Sequence, residues 1–308
     1  MIADMDITVS VIIPTFKRKK MLFYEIEKLI EQKNVVLDII VINDDIANDP
    51  TDEIKIKYPF VTYIKNKIKI GPGQKHQVGY KLAKGKYVSF PDDDDYLIDP
   101  LFFYKAITIM EENPSIAFVS GNSYIKYEDE PDKDKQFVPY KLNVSGQYDR
   151  LDFIENMQGK YNKPLSSFPT LFRKDSLDAQ CFMDQIEMSD VSLYLLALLS
   201  GDAFIIDDYV GVYRIHSRSL TTKRSSPVWI INVLKQKEYI YGKIKSEIKH
   251  PGEWWIRHFF MTYRFYANTS KNRFYKLRIL IWGLFHGKHS IKFLLLFCRE
   301  ILLVLENK

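Results

Sequence analysis

The sequence predicts an α/β protein with a doubly wound, mainly parallel sheet and a helical region appended towards its C-terminal end. Two observations support this fold class. Runs of β-branched and aromatic residues alternate with amphipathic stretches along the first 125 residues, and such alternation is typical of parallel sheets covered by helices. After residue 226 these short runs give way to long stretches that are apolar, aromatic and basic at once.

Four buried strands are predicted in the first hundred residues, because four apolar runs each end in a proline or in polar residues. These strands are Ile7–Phe16, Val36–Asp45, Phe60–Asn66 and Lys86–Asp95. Two helices are predicted between them, one from apolar residues spaced three and four apart and one from its closing glycine. These helices are Met21–Lys33 and Gly73–Gly85.

The next part of the chain continues the alternation. We expect a helix at Tyr104–Glu112, a strand at Ser115–Ile125 and a polar surface excursion over residues 126–150. Another helix begins near Asp190, and Ala203–Thr221 predicts a pair of strands that ends in a basic, hydroxyl-rich loop. The sequence contains no internal repeat.

The composition is that of a globular protein. With 308 residues, 46% of them hydrophobic, the chain is long enough for one large domain, or for one domain plus a substantial appendage. The first residues include acidic side chains and no basic segment, so we expect no secretory signal. Cys181 and Cys298 show neither metal-ligand spacing nor a disulfide framework. These features predict a reducing, cytoplasmic location.

The formal net charge of +5 is unevenly distributed. Residues 227–308 carry 15 Lys and Arg against 5 Asp and Glu, and they hold all four tryptophans. A basic, aromatic segment that follows a mildly acidic body indicates two parts with different roles. We therefore predict a main domain at residues 1–226 and a basic, amphipathic helical region at residues 227–308.

The helical region contains an apolar stretch, Ile291–Leu305, which is interrupted by charged residues. It is shorter than the roughly 20 apolar residues of a membrane-spanning helix, so we predict no transmembrane segment. Leucine and aromatic side chains beside Lys and Arg are typical of helices that lie in a membrane interface. The alternative is that these helices pack on the main domain or on a second subunit. Nucleic acid is not expected, because no recognised binding module is present.

Three predicted strands end in groups that suit ligand binding: Thr15, the run Asn43–Asp45, and the four aspartates Asp92–Asp95. Ligands of doubly wound sheets bind beyond the carboxyl ends of the strands, so these groups are expected to converge. Clustered carboxylates suit Mg²⁺ or Mn²⁺, which prefer oxygen ligands. The alternative is a solvated acidic turn, with Asp95 capping the following helix.

Five ordered motifs connect these observations. They are VSVIIPTFKR (Val9–Arg18), IIVINDD (Ile39–Asp45), GPGQKHQVGYKLAKGKYVSFPDDDD (Gly71–Asp95), MSDVSLYL (Met188–Leu195) and YRIHSRSLT (Tyr213–Thr221). In order and spacing, the chain resembles the glycosyltransferase family 2 enzymes of GT-A fold over roughly residues 7–222. The aspartates alone would be a weak signal, whereas the five motifs together are a strong one.

The resemblance implies a nucleotide site at the strand ends. Thr15, with Pro14 and Phe16, corresponds to the edge of a nucleotide-base pocket. Asp44 corresponds to the acidic residue that hydrogen-bonds the base, although the Gly-Ser-Thr that usually follows it is absent. His76 stands at a nucleotide-contact position where arginine is common.

The resemblance also implies roles for the remaining acidic residues. Asp92, Asp93 and Asp94 correspond to the DxD element, with Asp92 towards the ribose or the metal and Asp94 as a metal ligand. Asp190 corresponds to the catalytic base of inverting members, although the usual preceding glutamate is missing. His216 corresponds to a histidine of the metal and diphosphate site, and an arginine lies on each side of it.

Together these correspondences imply a metal-dependent, inverting hexosyl- or N-acetylhexosaminyltransferase that uses Mn²⁺ or Mg²⁺ and a nucleotide sugar, with UDP as the expected nucleotide. The basic helical region adds the expectation of a peripheral location at the inner face of the plasma membrane. There the acceptor would be a lipid-linked glycan, such as one on polyprenyl diphosphate, in the assembly of capsule, O-antigen or a similar bacterial surface polysaccharide. A homo-oligomer is also compatible with this region.

Besides a membrane- or partner-binding adaptor, which would need no acidic site, two alternatives remain open. The first is a retaining transferase, against which Asp190 argues. The second is a non-catalytic nucleotide-sugar-binding or scaffold subunit that has kept the fold. A degenerate member of this kind would be expected to have lost Asp94 or Asp190, and both are present.

Overall fold

The computed structural model describes residues 8–47, 50–182, 189–217, 226–286 and 290–306. One mixed sheet forms the centre of the protein. Its strands are β1 (Thr8–Thr15), β2 (Val36–Asn43), β3 (Thr62–Lys65), β4 (Tyr87–Ser89), β5 (Tyr96–Leu97), β6 (Ile116–Tyr127), β7 (Phe137–Tyr140), β8 (Gly146–Tyr148), β9 (Thr170–Arg173) and β10 (Asp202–Ile215). They are arranged in the order β3-β2-β1-β4-β9-β6-β10-β5, with β7 beside β6 and β8 beside β10.

Helices surround this sheet. They are α1 (Lys19–Ile30), α2 (Thr51–Lys57), α3 (Pro72–Leu82), α4 (Phe102–Glu112), α5 (Lys133–Gln136), α6 (Arg150–Asn156), α7 (Lys174–Asp178), α8 (Asp190–Leu198), α9 (Pro227–Ile244), α10 (Pro251–Thr269), α11 (Arg273–His286) and α12 (Ile291–Glu306). The expected surface excursion over residues 126–150 contains α5, β7 and β8.

Successive residues of β1 bury their side chains on opposite faces of the sheet. Val11 and Ile13 belong to the core that includes residues of α1 and α4, whereas Ile12 belongs to the core that includes residues of α3 and the C-terminal helices. Helices on both faces confirm the predicted α/β class. Strands β3, β2, β1 and β4 are parallel, and β9 then runs antiparallel between β4 and β6.

The segment after residue 201 corrects one prediction. It forms a single strand, β10, and not a strand pair. Its parallel pairing with β6 is interrupted between Ile206 and Tyr209, where Asp207 and Asp208 lie. Two adjacent aspartates inside an apolar run resemble a turn in the sequence. In the folded chain they form a bulge, which places extra residues outside the ladder without ending the strand.

The predicted C-terminal helices are present, and two of them share a hydrophobic core with the body. Buried residues of α9 and α10 belong to the same cluster as Phe153 of α6 and Tyr194 of α8. Trp254 of α10 is fully buried, and its Nε1 donates a hydrogen bond to the carbonyl oxygen of Ile154 (2.9 Å). Helices α9 and α10 therefore pack directly on the domain that carries the sheet.

The last two helices are covered on one side only. Gly283 allows α11 to approach α10, since a Cβ at that position would lie 2.1 Å from Cζ of Phe259. The exposed apolar residues of these helices form what we call the α11/α12 face: Phe274, Ile281, Phe285, Ile291, Leu294, Leu295, Leu302, Leu303 and Leu305. None of the helices in the described ranges combines the length and apolarity that a membrane span requires.

Candidate active site

Three aspartates that follow β4 bring their carboxylate oxygens together. Asp92, Asp94 and Asp95 each offer an oxygen, and these oxygens lie within 4.8 Å of one another. Asp95 is fully buried: its Oδ1 accepts the N–H of Arg214 in β10 (3.0 Å), and its Oδ2 has no hydrogen-bond partner among the described residues. Closely spaced carboxylates with an orphaned buried oxygen fit a hard divalent cation.

The electrostatics of this cluster also favour added positive charge. Burial raises the pKa of Asp92 and of Asp95 well above the usual range of a carboxyl, and the neighbouring Asp94 raises both pKa values further. Burial also raises the pKa of Asp93, while the positive charge of Arg18 acts in the opposite direction. Like charges in a buried site repel one another, so a bound cation would stabilise the ionised forms.

A guanidinium from the start of α1 lies against these carboxylates. Arg18 Nη1 donates hydrogen bonds to Asp93 Oδ1 (2.8 Å) and to Asp94 Oδ2 (2.5 Å). On the other side, Thr15 Oγ1 donates to Asp93 Oδ2 (2.6 Å). Because β1 and β4 are adjacent in the sheet, the end of β1 and the loop after β4 meet at this point. Both oxygens of Asp93 are thus held by residues of the first motif.

Asp44 is also held within the protein. Its Oδ1 accepts a hydrogen bond from Asn66 Nδ2 (2.8 Å), and its Oδ2 accepts the N–H of Gly71 (3.0 Å). Lys75 Nζ lies 3.7 Å from the same Oδ2 and donates to the carbonyl oxygen of Thr15 (2.8 Å). These contacts place Asp44 beside the end of β1. Its expected hydrogen bond to a nucleotide base stays a prediction.

A cleft of about 120 Å³ opens beside the ends of β1 and β2. Its walls include Thr15 and Arg18 after β1, and Asn43 and Asp45 after β2. Asn43 Oδ1 accepts the N–H of Asp45 (2.8 Å), which fixes the turn at the end of β2. The cleft therefore combines hydroxyl, amide, carboxylate and guanidinium groups at the carboxyl ends of parallel strands, where ligands of such sheets bind.

The other expected nucleotide contacts lie in different surroundings. Pro14 is buried in β1, and Phe16 is half-buried with Lys69 Nζ 4.4 Å from its ring centre. His76 packs edge-on against Phe90 at 5.5 Å, and its Nε2 has no hydrogen-bond partner among the described residues. Burial lowers the pKa of His76 to about 4, so this side chain is uncharged at neutral pH. A nucleotide contact by any of the three stays a prediction.

Asp190 is the first residue of α8, and Ser189 caps that helix by accepting the N–H of Ser192 (3.2 Å). Burial raises the pKa of Asp190, and the charge of Lys163 opposes this shift. Asp190 in turn contributes to the raised pKa of Asp92. The two carboxyls therefore belong to one electrostatic site, although 98 residues separate them in the chain. Lys163 Nζ itself donates to two backbone carbonyl oxygens, at 2.7 and 2.8 Å.

The motif at the end of β10 completes the site. His216 Nε2 lies 3.0 Å from Asp94 Oδ2. The Arg214 guanidinium lies over two tyrosine rings, at 5.1 and 4.9 Å, and its Nε donates to the carbonyl oxygen of Asp94. Arg218, the second arginine of the motif, lies outside the described residues. Strand β10 therefore brings His216 to the same aspartate that Arg18 contacts from α1.

Residues 10–179, more than half of the chain, match the sequence profile described as Glycosyl transferase family 2. The chain belongs to glycosyltransferase family 2. The family and the enzyme class that the five motifs led us to expect are confirmed.

Relatives of this glycosyltransferase include one from Campylobacter jejuni subsp. jejuni serotype O:2, the GalNAc(5)-diNAcBac-PP-undecaprenol beta-1,3-glucosyltransferase. It is 28% identical over 226 residues, which cover 70% of this chain and 68% of that protein.

Two solved structures resemble the fold. Residues 1–349 of S. aureus TarS in complex with UDP give a TM-score of 0.60 at 18% identity, over 82% of this chain and 70% of that one. The match spans only 44% of a longer TarS chain. The mannosyltransferase PcManGT from Pyrobaculum calidifontis gives a TM-score of 0.51 at 13% identity, over 97% of this chain and 81% of that one. These similarities confirm the expected GT-A architecture.

Within this family 2 site, sequence reasoning missed four charged residues: Arg18, Glu25, Lys75 and Lys163. Glu25 is fully buried, and neither of its carboxylate oxygens has a hydrogen-bond partner among the described residues. Burial raises its pKa well above the usual range, while Arg214 opposes the shift. One signal for Glu25 was present, because it occupies the apolar face of α1 in helical spacing with buried leucines. The two lysines gave no comparable signal.

Proposed function

We propose that this family 2 glycosyltransferase is a metal-dependent, inverting enzyme that transfers a sugar from a UDP-sugar to a lipid-linked glycan in bacterial surface polysaccharide synthesis. The observation that carries the proposal is the cluster of Asp92, Asp94 and Asp95 after β4, in which Asp190 helps to raise the pKa of Asp92. In this proposal Asp190 supplies the base and the aspartate cluster supplies the cation site, the two groups that the reaction requires.

Asp190 acts as the catalytic base. It accepts the proton of the acceptor hydroxyl while that oxygen attacks the anomeric carbon of the sugar. The bond between that carbon and the diphosphate oxygen breaks on the opposite face, so the configuration is inverted. Burial raises the pKa of Asp190, which makes its carboxylate more basic than an ordinary aspartate, and Lys163 favours the ionised form.

Asp92, Asp94 and His216 would hold the cation, Mn²⁺ or Mg²⁺, with Asp95 in the same carboxylate cluster. The charge of the cation would stabilise the departing diphosphate. Around them, the hydroxyl of Thr15 and the side chains of Asn43 and Asp45 line the cleft and suit recognition of a nucleoside. The internal hydrogen bonds of Asp44 hold Gly71, which precedes α3, against the end of β2. In this proposal Asp44 orders the nucleotide pocket whether or not it also contacts the base.

Similar proteins support the choice of donor, cation and acceptor. TarS has been solved with UDP and with UDP-GlcNAc, and PcManGT with GDP-Man and Mn²⁺. The acceptor in the name of the C. jejuni enzyme is a glycan linked through diphosphate to undecaprenol. An acceptor of this kind is held in a membrane, so its transferase must work at a membrane surface.

The α11/α12 face is suited to such a surface. It exposes Phe285 at 80%, Ile291 at 79% and Leu295 at 67%, within the segment that carries the excess of Lys and Arg. Exposed apolar side chains beside basic ones favour the interface of a membrane with anionic lipids. We propose that this face attaches the enzyme peripherally to the inner face of the plasma membrane.

Vesicle flotation tests this attachment. The variant Phe285→Glu/Leu295→Glu should lose binding to anionic vesicles, whereas Ile56→Glu, at an 83% exposed isoleucine of α2, should bind like the wild type. Equal flotation of all three proteins would exclude attachment through this face. Gel filtration decides the remaining alternative, since a change from dimer to monomer in the double variant would identify the face as a subunit interface.

Calorimetric titration of UDP, with and without Mn²⁺, tests the active site. Asp94→Asn should lose metal-dependent binding, and Asp208→Asn, at an exposed carboxylate of β10, should retain it. Asp190→Asn should bind UDP normally but lose turnover of UDP-sugars by about 10²-fold or more. Metal-independent binding of UDP would refute the cation site. Wild-type binding without turnover of UDP- or GDP-sugars on lipid-linked acceptors would favour a non-catalytic subunit.

A further inference from the structure

The contacts of Arg18 conflict with the binding of a cation at Asp94. Its Nη1 bridges Asp93 Oδ1 and Asp94 Oδ2, at 2.8 and 2.5 Å, and its side chain is 12% exposed. The same Asp94 Oδ2 is contacted by His216 Nε2 at 3.0 Å. Asp94 also belongs to the carboxylate cluster that fits a divalent cation. The guanidinium therefore lies where a cation bound by Asp94 would repel it.

The surroundings of Arg18 offer it a second position. Its side chain also lines the cleft beside the ends of β1 and β2, and Lys17 and Lys19 line the same cleft. These three cationic side chains outnumber the single carboxylate of the cleft lining, Asp45, and so favour an anionic ligand such as a diphosphate. A guanidinium binds phosphate oxygens through two parallel N–H donors, a geometry that ammonium groups lack.

We propose that Arg18 is an exchangeable counter-ion, which neutralises Asp93 and Asp94 when no divalent cation is bound and moves to the diphosphate of the nucleotide when one binds. The inference rests on the proposed function. It makes Arg18 a positioning residue that couples the two ligands: the cation releases the guanidinium, and the released guanidinium strengthens nucleotide binding. By linkage, UDP must then strengthen binding of the cation to the same degree.

Binding of Mn²⁺ to the metal-free protein, followed by electron paramagnetic resonance of the free ion, tests the exchange without any catalytic readout. Arg18→Met removes the competing charge, so affinity for Mn²⁺ alone should rise by roughly tenfold or more, because the charge-assisted hydrogen bonds to Asp93 and Asp94 no longer have to be broken. Affinity for UDP in the presence of Mn²⁺ should fall by about the same factor. Lys28→Met removes a half-buried, ion-paired lysine of α1 that does not contact the aspartates and should change neither affinity.

The outcomes separate exchange from a purely structural role. If Arg18 merely held the aspartates in place, Arg18→Met would bind Mn²⁺ more weakly than the wild type, and this result, or an unchanged Mn²⁺ affinity, would overturn the inference alone. Failure of the wild type to bind Mn²⁺ would overturn both the proposed metal dependence and the inference. A circular dichroism spectrum and a Tm close to those of the wild type would show that the variant is folded.

Discussion

Substitution of Trp254 tests whether residues 227–308 are a separable appendage or part of one folding unit. Trp254 is fully buried, stacks against Tyr241 at 6.0 Å and donates to the carbonyl oxygen of Ile154 in α6. Replacing a buried Trp by Ala costs about 3–5 kcal/mol, and the carbonyl left without its donor adds about 1 kcal/mol. We expect Trp254→Ala to lose about 4 kcal/mol or more, a large part of the roughly 5–15 kcal/mol that stabilises a typical domain.

The distribution of tryptophans makes this prediction measurable. Since all four lie in residues 227–308, tryptophan fluorescence reports unfolding of the C-terminal helices, and hydrogen exchange of peptides from β1 and β2 reports the sheet. In urea both probes should show one coincident transition, displaced to lower urea in Trp254→Ala. Trp282→Ala, at a half-buried residue that stacks on the exposed His286, should cost clearly less. A fluorescence transition that shifts alone, with the exchange of β1 and β2 unchanged, would refute the shared core.

Four further substitutions, one of them a matched control, test three other features. Gly283→Ala should destabilise the protein by about 1–3 kcal/mol in urea melts, because the added methyl overlaps an aromatic ring of α10, whereas Gly242→Ala, with open space around it, should stabilise it by up to about 1 kcal/mol. Lys163→Met removes the charge that opposes the raised pKa of Asp190, so the acidic limb of kcat/KM should move to higher pH. Its failure to move would mean that Lys163 does not act on the base. The raised pKa of Glu25 means that its contribution to stability is present below its unfolded pKa and is lost as pH rises through its folded pKa. Glu25→Gln should therefore raise Tm more at about pH 8 than at about pH 5. An equal rise in Tm at both pH values would show that the pKa of Glu25 is not raised in the folded protein.

The parts of the fold that the sequence predicted are those set by local pattern. β1, β2 and β4 are apolar runs flanked by polar residues, and their parallel arrangement brings their carboxyl ends to one edge whatever the loops do. The continuity of β10 depends instead on a distant strand, β6. The pairing of β10 with β6 continues on both sides of the bulge at Asp207 and Asp208. Apolar patterning predicted that the C-terminal helices contact a membrane surface, the main domain or a second subunit, but nothing local identifies α6 and α8 as the surfaces on which α9 and α10 pack.

The same distinction holds for the site. The order of the motifs predicted that Asp190 and His216 would join the aspartates, because each motif has a fixed place in the family fold. The contact of Arg18 with Asp93 joins residues 75 positions apart, and it depends on how α1 is oriented on the sheet. Glu25 also shows this limit: an acidic residue on the apolar face of a helix indicates an unusual environment. The local sequence does not reveal that burial raises the pKa of Glu25 while Arg214, on a distant strand, opposes the shift.

The four adjacent carboxylates that follow β4 differ in the positive charge and the hydrogen-bond donors that the protein provides to them. Arg18 contacts Asp93 and Asp94, and Asp95 accepts a hydrogen bond from a backbone N–H. Asp92 is half-buried. The two residues whose pKa values are raised well above the usual range are accordingly Asp92 and Asp95. Added positive charge would therefore relieve most repulsion at these two carboxyls, which share the cluster with Asp94. A ligand that binds the folded state alone stabilises it, so the cation that activates the donor would also stabilise the fold around it. Metal-dependent donor binding and metal-dependent stability would then have a single electrostatic cause.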